Sequence, residues 1–407
     1  MKKLFSLLLI ALLFLATEAK SQKDPLAILL TWTGDPTTTM VVDWHSMQKN
    51  TQTLYFREKG TSDWKGLVSV NRPFVHSDRT IHRVYLNGLK PGTSYELKFG
   101  EDNMVYFFNT MPADIRDEPI RIAIGGDTMH EKAMLEKTNS QVLRFEPHFV
   151  VMGGDMAYEN GAPDAVGKVY DWLDGVKKTL ITPERRIIPV VVGLGNHEVA
   201  GGYYNPEKFS GSDRDRETYA PYFFNLYAFP GQPGYGVLDF GKYLSLFILD
   251  TDHANPILGK QTDWLESELQ KKHDFLHIIP VYHIPAYPSV RDFNGERSAK
   301  VRENWLPLFE KSHVKLAFEN HDHAYKRTYP IRNGVVDERG IVFMGDGAWG
   351  VRVRDVHKVD ETWYLKKAAS QRHFVLLTLQ GSHQQVTVVN EDGEIIDAYP
   401  EVFKPAR

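Results

Sequence analysis

Over residues 26–112 the apolar positions fall in short runs broken by polar turns. Met40-Val41-Val42-Asp43-Trp44, Leu54-Tyr55-Phe56, Val84-Tyr85-Leu86 and the stretch 104–108 are rich in β-branched and aromatic side chains, which predicts strands. Gly34-Asp35-Pro36 and Pro91-Gly92 mark turns between them. Trp32 and Trp44 are the kind of large side chain that fills a small β core. A polar stretch at 112–118 ends this pattern. Beyond it, short apolar strands are predicted at 120–124, 149–152, 187–192, 278–282, 314–318 and 341–344. Between them a 3.6-residue period predicts helices over 131–145, through Val166, Val169, Leu173 and Val176, and over 261–271, where Leu265 and Leu269 face inward. The stretch 385–396 reads as a hairpin about Asp392-Gly393. An all-β domain at 24–112 and a layered α/β domain at 118–400 follow from the change of period.

Upstream, Met1-Lys2-Lys3 precedes an apolar run over 4–16 and the small-residue exit Thr17-Glu18-Ala19. A basic start, a run of this length and such an exit predict a secretory signal over 1–21. The run is shorter than the ~20 residues a membrane-spanning helix needs. The mature chain is therefore expected to be secreted or periplasmic, with no span. Losing 1–21 removes three lysines and one glutamate and takes the formal charge from −4 to −6. The 407 residues are 42% hydrophobic and 25% charged, which suits two or three globular domains. No basic excess calls for a nucleic-acid partner, so attraction for an anion must come from a local site. There is no cysteine. Disulfides and thiolate ligands are excluded, and any metal must be held by imidazole, carboxylate, amide or phenol groups. Nothing in the sequence sets an oligomeric state.

Five polar clusters each follow an apolar strand: Gly126-Asp127, Gly154-Asp155-Met156-Ala157-Tyr158, Gly195-Asn196-His197-Glu198, Val281-Tyr282-His283 and Asn320-His321-Asp322-His323. Ligands collect at the carboxyl ends of strands in α/β sheets, so the five can converge. Hydrolysis of a phosphate ester needs a nucleophile at neutral pH and neutralisation of phosphoryl charge. Two metals ~3.5–4 Å apart supply both. The residue types in the clusters are those that two such ions require.

These clusters, in this order, resemble the calcineurin-like metallophosphoesterases. Tyr158, three residues after Asp155, narrows the resemblance to the purple acid phosphatase branch. So do Gln261-Thr262-Asp263-Trp264-Leu265-Glu266, the run Phe149-Val150-Val151 leading into Gly154-Asp155, and the preceding β domain. Within that domain Leu89-Lys90-Pro91-Gly92-Thr93-Ser94-Tyr95 resembles the tyrosine corner of a fibronectin type III sandwich. The implied fold is an N-terminal all-β fibronectin type III-like sandwich followed by an α/β four-layer (α/β/β/α) metallophosphoesterase domain. The resemblance implies that Asp127, Asp155, Tyr158 and His323 bind a first metal, Fe(III) in the family, with Asp155 bridging. Asn196, His283 and His321 would complete a second site for Fe, Zn or Mn. His197 matches a non-ligand histidine that contacts phosphate, and Glu198 is placed to orient its imidazole. These two are the expected catalytic residues. The implied reaction is in-line attack of a metal-bound hydroxide on a small phosphorylated substrate, a monoester first. A phosphodiesterase would use the same metals. A surface-binding protein without catalysis is a further alternative, against which the retained ligand set argues.

Three positions depart from the family pattern. Met129 stands two residues after Asp127, where the family has glycine or histidine. Asn320 replaces the glycine before His321. No histidine lies between His283 and His313, where relatives offer one for the leaving group. Proton transfer would then fall more on His197. Taken singly, the clusters have blander readings: a turn at Gly126-Asp127, a core position for Tyr158, helix caps for Asn196 and Glu198. The ordered set argues against coincidence. His130 is expected to open the following helix, Arg327 to be structural, and His253 to line the cleft less directly.

Overall fold

A computed structural model describes residues 25–100 and 104–401, and the leader expected at 1–21 lies outside them. The first domain is built from β1 (Ala27–Thr31), β2 (Met40–Ser46), β3 (Thr53–Glu58), β4 (Lys65–Val68), β5 (Val70–Pro73), β6 (Thr80–Leu86), β7 (Ser94–Phe99) and β8 (Tyr106–Asn109). They form two four-stranded sheets, β1-β2-β6-β5 and β4-β3-β7-β8. In β7 the period-2 pattern buries Tyr95, Leu97 and Phe99 and leaves Ser94, Glu96 and Lys98 partly exposed. Trp32 and Trp44 are buried in the shared core with Leu54 and Phe108. The Tyr95 hydroxyl accepts the Lys90 N–H at 2.9 Å, the bond of a tyrosine corner. β1 is buried along its whole length. Its Ala27 and Leu29 face the second domain, where they join a cluster with Trp172, Val176 and Leu180. Arg83 reinforces this contact: it pairs with Asp43 through Nε at 2.6 Å and donates from Nη2 to the Leu226 carbonyl at 3.0 Å.

The second domain begins with β9 (Ile120–Gly125), α1 (Lys132–Arg144), β10 (Phe149–Met152), α2 (Val166–Thr179) and β11 (Val190–Val192). After α3 (Asp213–Tyr219) and α4 (Pro221–Leu226) come β12 (Gly236–Phe240), β13 (Leu244–Leu249), α5 (Lys260–Gln270) and β14 (His277–Tyr282). Then follow α6 (Glu296–Asn304), α7 (Leu306–Lys311), β15 (Leu316–Glu319), β16 (Tyr325–Thr328), β17 (Ile331–Arg332), β18 (Val335–Val336) and β19 (Val342–Gly345). β20 (Leu365–Ala369), β21 (His373–Gln380), β22 (His383–Asn390) and β23 (Ile395–Tyr399) close the chain. A six-stranded sheet runs β11-β10-β9-β21-β22-β23 and a seven-stranded sheet runs β12-β13-β14-β15-β19-β16-β20.

Alternation along the strands sets the layers. Ile120, Ile122 and Ile124 of β9, with Phe149 and Val151 of β10, join Leu246, Ile248, Ile279, Val281 and Phe318 of the other sheet. Ala123, Val150 and Met152 point the other way, to Leu135, Val142, Val169 and Leu173 of α1 and α2. On the far side Leu265, Leu269, Val301 and Phe309 of α5, α6 and α7 cover Phe247, Leu249, Tyr282 and Phe343. The order is helix, sheet, sheet, helix, as the resemblance implies.

β9, β10 and β11 are mutually parallel, as are β13, β14, β15 and β19. Their carboxyl ends carry all five polar clusters. The strand expected at 187–192 is shorter, since β11 starts at Val190. The Ile187 N–H is drawn instead to the Phe107 carbonyl of the sandwich, at 2.8 Å.

Candidate metal centre

Asp127 leaves β9, Asp155 and Tyr158 leave β10, Asn196 leaves β11, His283 leaves β14, and His321 and His323 leave β15. All but Asn196 are buried. Asp127, Asp155, Tyr158, His321 and His323 have φ between 56° and 80°. Non-glycine residues seldom adopt that left-handed region, and such strain collects at functional sites. The crowding behind them explains a glycine: a Cβ at Gly154 (φ 107°) would lie 2.7 Å from the Gly195 nitrogen and from His283 Nδ1.

The side chains meet in two groups. In the first, Tyr158 Oη lies 3.2 Å from Asp127 Oδ1 and 3.1 Å from His323 Nε2, and His323 Nε2 lies 3.1 Å from Asp127 Oδ1. In the second, His283 Nε2 lies 3.1 Å from His321 Nδ1, 3.3 Å from Asn196 Oδ1 and 3.3 Å from Asp155 Oδ2. Asp127 joins the groups, since its Oδ2 accepts the His321 N–H at 2.8 Å. The outer nitrogens are held: His283 Nδ1 sits 3.0 Å from the Gly153 carbonyl and His323 Nδ1 3.3 Å from the Arg352 carbonyl. Donation from each Nδ1–H leaves the Nε2 lone pair turned inward, the arrangement that orients metal-ligating histidines.

This donor set fits metal ions. Asp155, His283 and His321 each offer an atom within 4.8 Å of the others. Asp155 Oδ2 is buried and accepts no hydrogen bond. Burial opposes charge on His283, yet the Asp155 and Asp127 carboxylates outweigh it and raise the imidazole to about 9. The centre therefore favours positive charge.

Residues 25–110 match the purple acid phosphatase N-terminal domain, and residues 120–325 match the calcineurin-like phosphoesterase model. The chain belongs to the calcineurin-like phosphoesterase family. Within it this phosphoesterase is purple acid phosphatase-like. It is 25% identical over 380 residues to purple acid phosphatase 18 of Arabidopsis thaliana, spanning 90% of this chain and 81% of the relative. It is 25% identical over 416 residues to acid phosphatase type 7 of Mus musculus, spanning 92% and 90%. Its fold is similar to that of purple acid phosphatase PPD1 from yellow lupin seeds. The TM-score is 0.76 at 17% identity, covering 93% of this chain and 74% of that one. The phosphoesterase is thus a phosphoric ester hydrolase by family.

The phosphoesterase corrects the expected role of Glu198. Its carboxylate does not meet the His197 ring. Oε2 accepts the N–H groups of Gly195 at 2.7 Å and Asp155 at 2.8 Å, and Oε1 that of Met156 at 2.7 Å. Glu198 therefore ties the β11 loop to the β10 loop from beneath, satisfying amides that turn away from their strands. The partner of His197 is Asn160, whose Oδ1 lies 2.5 Å from Nδ1. The His197 side chain is 34% exposed, its Nε2 lies 3.9 Å from Asp155 Oδ2, and its ring lies 4.3 Å from that of Tyr158. Burial lowers its pKa, with the Asp155 and Asp127 carboxylates opposing.

Other expectations shift as well. His130 does not open α1; its ring packs 4.6 Å from Tyr158 and 5.3 Å from His323. His253 is buried with its ring 5.4 Å from His283. Asn320 wedges its amide behind the centre, donating to the Tyr282 carbonyl at 2.9 Å. Arg327 is structural, bound to Asp397 at 2.7 Å. Asn160, Asp322, Arg291 and Arg354 also border the site. Asp322 lies inside the cluster that carries His321 and His323, whereas Asn160, Arg291 and Arg354 belong to none of the five clusters.

Proposed function

We propose that this chain is an exported phosphatase that hydrolyses small phosphate monoesters at a two-metal centre. The observation that carries the reading is the convergence of Asp127, Tyr158 and His323 on one side and Asn196, His283 and His321 on the other. Asp127 links the two groups through the His321 N–H, Asp155 stands beside His283, and the outer histidine nitrogens are tied to carbonyls. Metals so held supply charge neutralisation and an acidified water near neutral pH. Burial and Asp127 hold the Tyr158 phenol well above its ordinary range. A metal bound there would take the phenol as phenolate, and such a hard oxygen donor would suit Fe(III) in the first position. The imidazole and amide set of the second suits Fe, Zn or Mn.

His197 is the group left to act on substrate. Its Nδ1–H donates to Asn160, which fixes the ring and leaves Nε2 facing the centre. When the ring is protonated at both nitrogens, Nε2–H would hold a phosphoryl oxygen or pass its proton to the leaving oxygen. Glu198 serves by holding the Asn196 and Asp155 loops in register. Export rests on the sequence of 1–21, and among the described residues no helix is long and apolar enough to cross a membrane.

The test is metal analysis of the purified protein with turnover of aryl phosphate monoesters and diesters. Bound metal and faster monoester turnover are expected. Faster diester turnover would replace the monoester reading with a phosphodiesterase, and a protein that retains no metal and turns over neither would overturn both.

A further inference from the structure

The strands of the six-stranded sheet that carry metal ligands at their carboxyl ends carry a different group at their amino ends. There, where the sheet meets the sandwich, lies a cavity of about 450 Å³. Arg121 of β9, His148 just ahead of β10 and Arg186 ahead of β11 line it, and Phe107 of β8 forms the sandwich side. The main chain of this seam is fixed. The Phe107 N–H donates to the Arg185 carbonyl at 3.0 Å, and the Phe107 carbonyl accepts the Ile187 N–H at 2.8 Å. The three nitrogen-bearing side chains thus start from a framework shared by both domains.

Their donors are largely unused. His148 Nδ1 accepts the Arg121 N–H at 3.1 Å, which places the ring proton on Nε2. Burial, then Arg121 and Arg186, lower this imidazole to about 4, so it stays a neutral donor at ordinary pH. Arg121 Nε is buried and finds no acceptor among the described residues. Its Nη2 makes only long contacts to Glu146, 3.4 Å from the carbonyl and 3.5 Å from the carboxylate. Arg186 ion-pairs with no carboxylate among the described residues, and its Nη2 lies 3.4 Å from the Pro147 carbonyl. Burial pulls its guanidinium below the ordinary value, Glu146 opposes, Arg121 adds to the fall and Glu184 opposes. Those two carboxylates line the cavity as well, but both are exposed, the Glu146 side chain by 76%. Water screens them, so they offset little of the charge held further in. Two half-desolvated guanidinium forks and an imidazole N–H, facing one space without close acceptors, suit a compact anion with several oxygens.

We propose that Arg121, His148 and Arg186 form a binding site for a free tetrahedral oxyanion, inorganic phosphate or sulfate, at the seam between the two domains. The two guanidinium groups hold its charge and the His148 Nε2–H donates to one of its oxygens. The site lies at the opposite end of the strands from the metal centre and takes no part in the reaction there. Its effect is mechanical. Arg186 follows directly on Arg185, whose carbonyl binds the sandwich, so an anion that draws Arg186 toward Arg121 tightens the contact between the domains. It also relieves the repulsion between the two guanidinium groups.

The test is hydrogen exchange on the metal-loaded protein, titrated with orthophosphate, with sulfate, and with chloride at matched ionic strength. Either oxyanion should slow exchange of the Phe107 and Ile187 amides, and chloride should not. Amides at 194–199, beside the metal centre, report any binding there separately. Arg186→Gln should raise the oxyanion concentration needed at the seam roughly tenfold to hundredfold, the scale of one charge-assisted hydrogen bond. Glu146→Gln removes a competing carboxylate and should lower that concentration, a gain that no folding defect imitates. No slowing in the wild type, equal slowing by chloride, or an Arg186→Gln protein that responds at the wild-type concentration would overturn the assignment. So would a Glu146→Gln protein that needs as much oxyanion as the wild type, or more.

Discussion

Lys326, on β16, is the buried cation on which two loops of the metal centre depend. Its side chain and that of Glu319 have 0% exposure, and Nζ lies 2.5 Å from Glu319 Oε2 and 3.3 Å from Asp346 Oδ1. It also donates to the Tyr287 carbonyl. Glu319 Oε1 in turn accepts the Tyr282 hydroxyl at 2.6 Å and the Ala286 amide at 2.7 Å. Asp346 Oδ2 accepts the Ser289 amide at 3.0 Å and its hydroxyl. The chain after His283 is pinned through these bonds. Lys326→Met keeps the apolar stem and removes the charge, leaving two buried carboxyl groups without their cation. Breaking a buried pair from one side costs about 3–5 kcal/mol. Burial already pushes Asp346 well above its ordinary value, so proton uptake returns part of that cost. The lower end, about 3 kcal/mol, is the expected loss. Adding Glu319→Gln removes one stranded charge, and the double variant should recover about 1–2 kcal/mol relative to Lys326→Met. Denaturant unfolding of the four proteins, with metal content measured alongside, reads both quantities. A Lys326→Met protein as stable as the wild type, or a double variant whose losses simply add, would refute the reasoning.

Asp155→Asn should lower metal content and activity together, activity by tenfold or more on the order of a lost metal. Mass-spectrometric metal analysis beside an aryl phosphate assay checks this, and full metal with full activity would remove Asp155 from the centre. Asn160→Ala should keep the metals and lower kcat about two- to tenfold by freeing the His197 ring, the scale of one neutral hydrogen bond. Steady-state kinetics across pH test it, and an unchanged profile would point to another orienting group. His45 should make the sandwich acid-sensitive. Burial, with Arg79 next, lowers its pKa to about 3, and neither ring nitrogen has a hydrogen-bond partner. The unfolded chain takes up the proton first as pH falls below 6.5, so stability is lost in that direction. The loss is about 2–3 kcal/mol between pH 6.5 and 4.5. His45→Leu should flatten that slope in denaturant titrations at the two pH values, and an equal slope in both proteins would count against it.

Several features were legible because their signals are local. The switch from period 2 to period 3.6 near residue 112 separates the two kinds of layer, and strands such as β9 and β10 stand out as short apolar runs closed by glycine. The seven expected ligands each sit at the end of such a run, so a sheet geometry alone carries them to one edge. β13 escaped notice although all six of its residues are buried. Its run is interrupted by Ser245 and is followed by Asp250 rather than a glycine, and its place in the sheet comes from pairing antiparallel to β12 and parallel to β14.

The amino-acid sequence by itself determined the layers, the order of the clusters and which residue types could hold metal. Tertiary structure alone decided what the remaining polar groups do. Glu198 sits beside His197 in sequence, yet the donors that reach it include the Asp155 and Met156 amides, 43 and 42 residues away. Asn160 meets His197 across 37 residues, and Lys326 meets Tyr287 across 39. Hydrogen bonds and ion pairs are short-ranged and directional, so they are set by where loops end in space. Residue spacing along the chain carries no record of that.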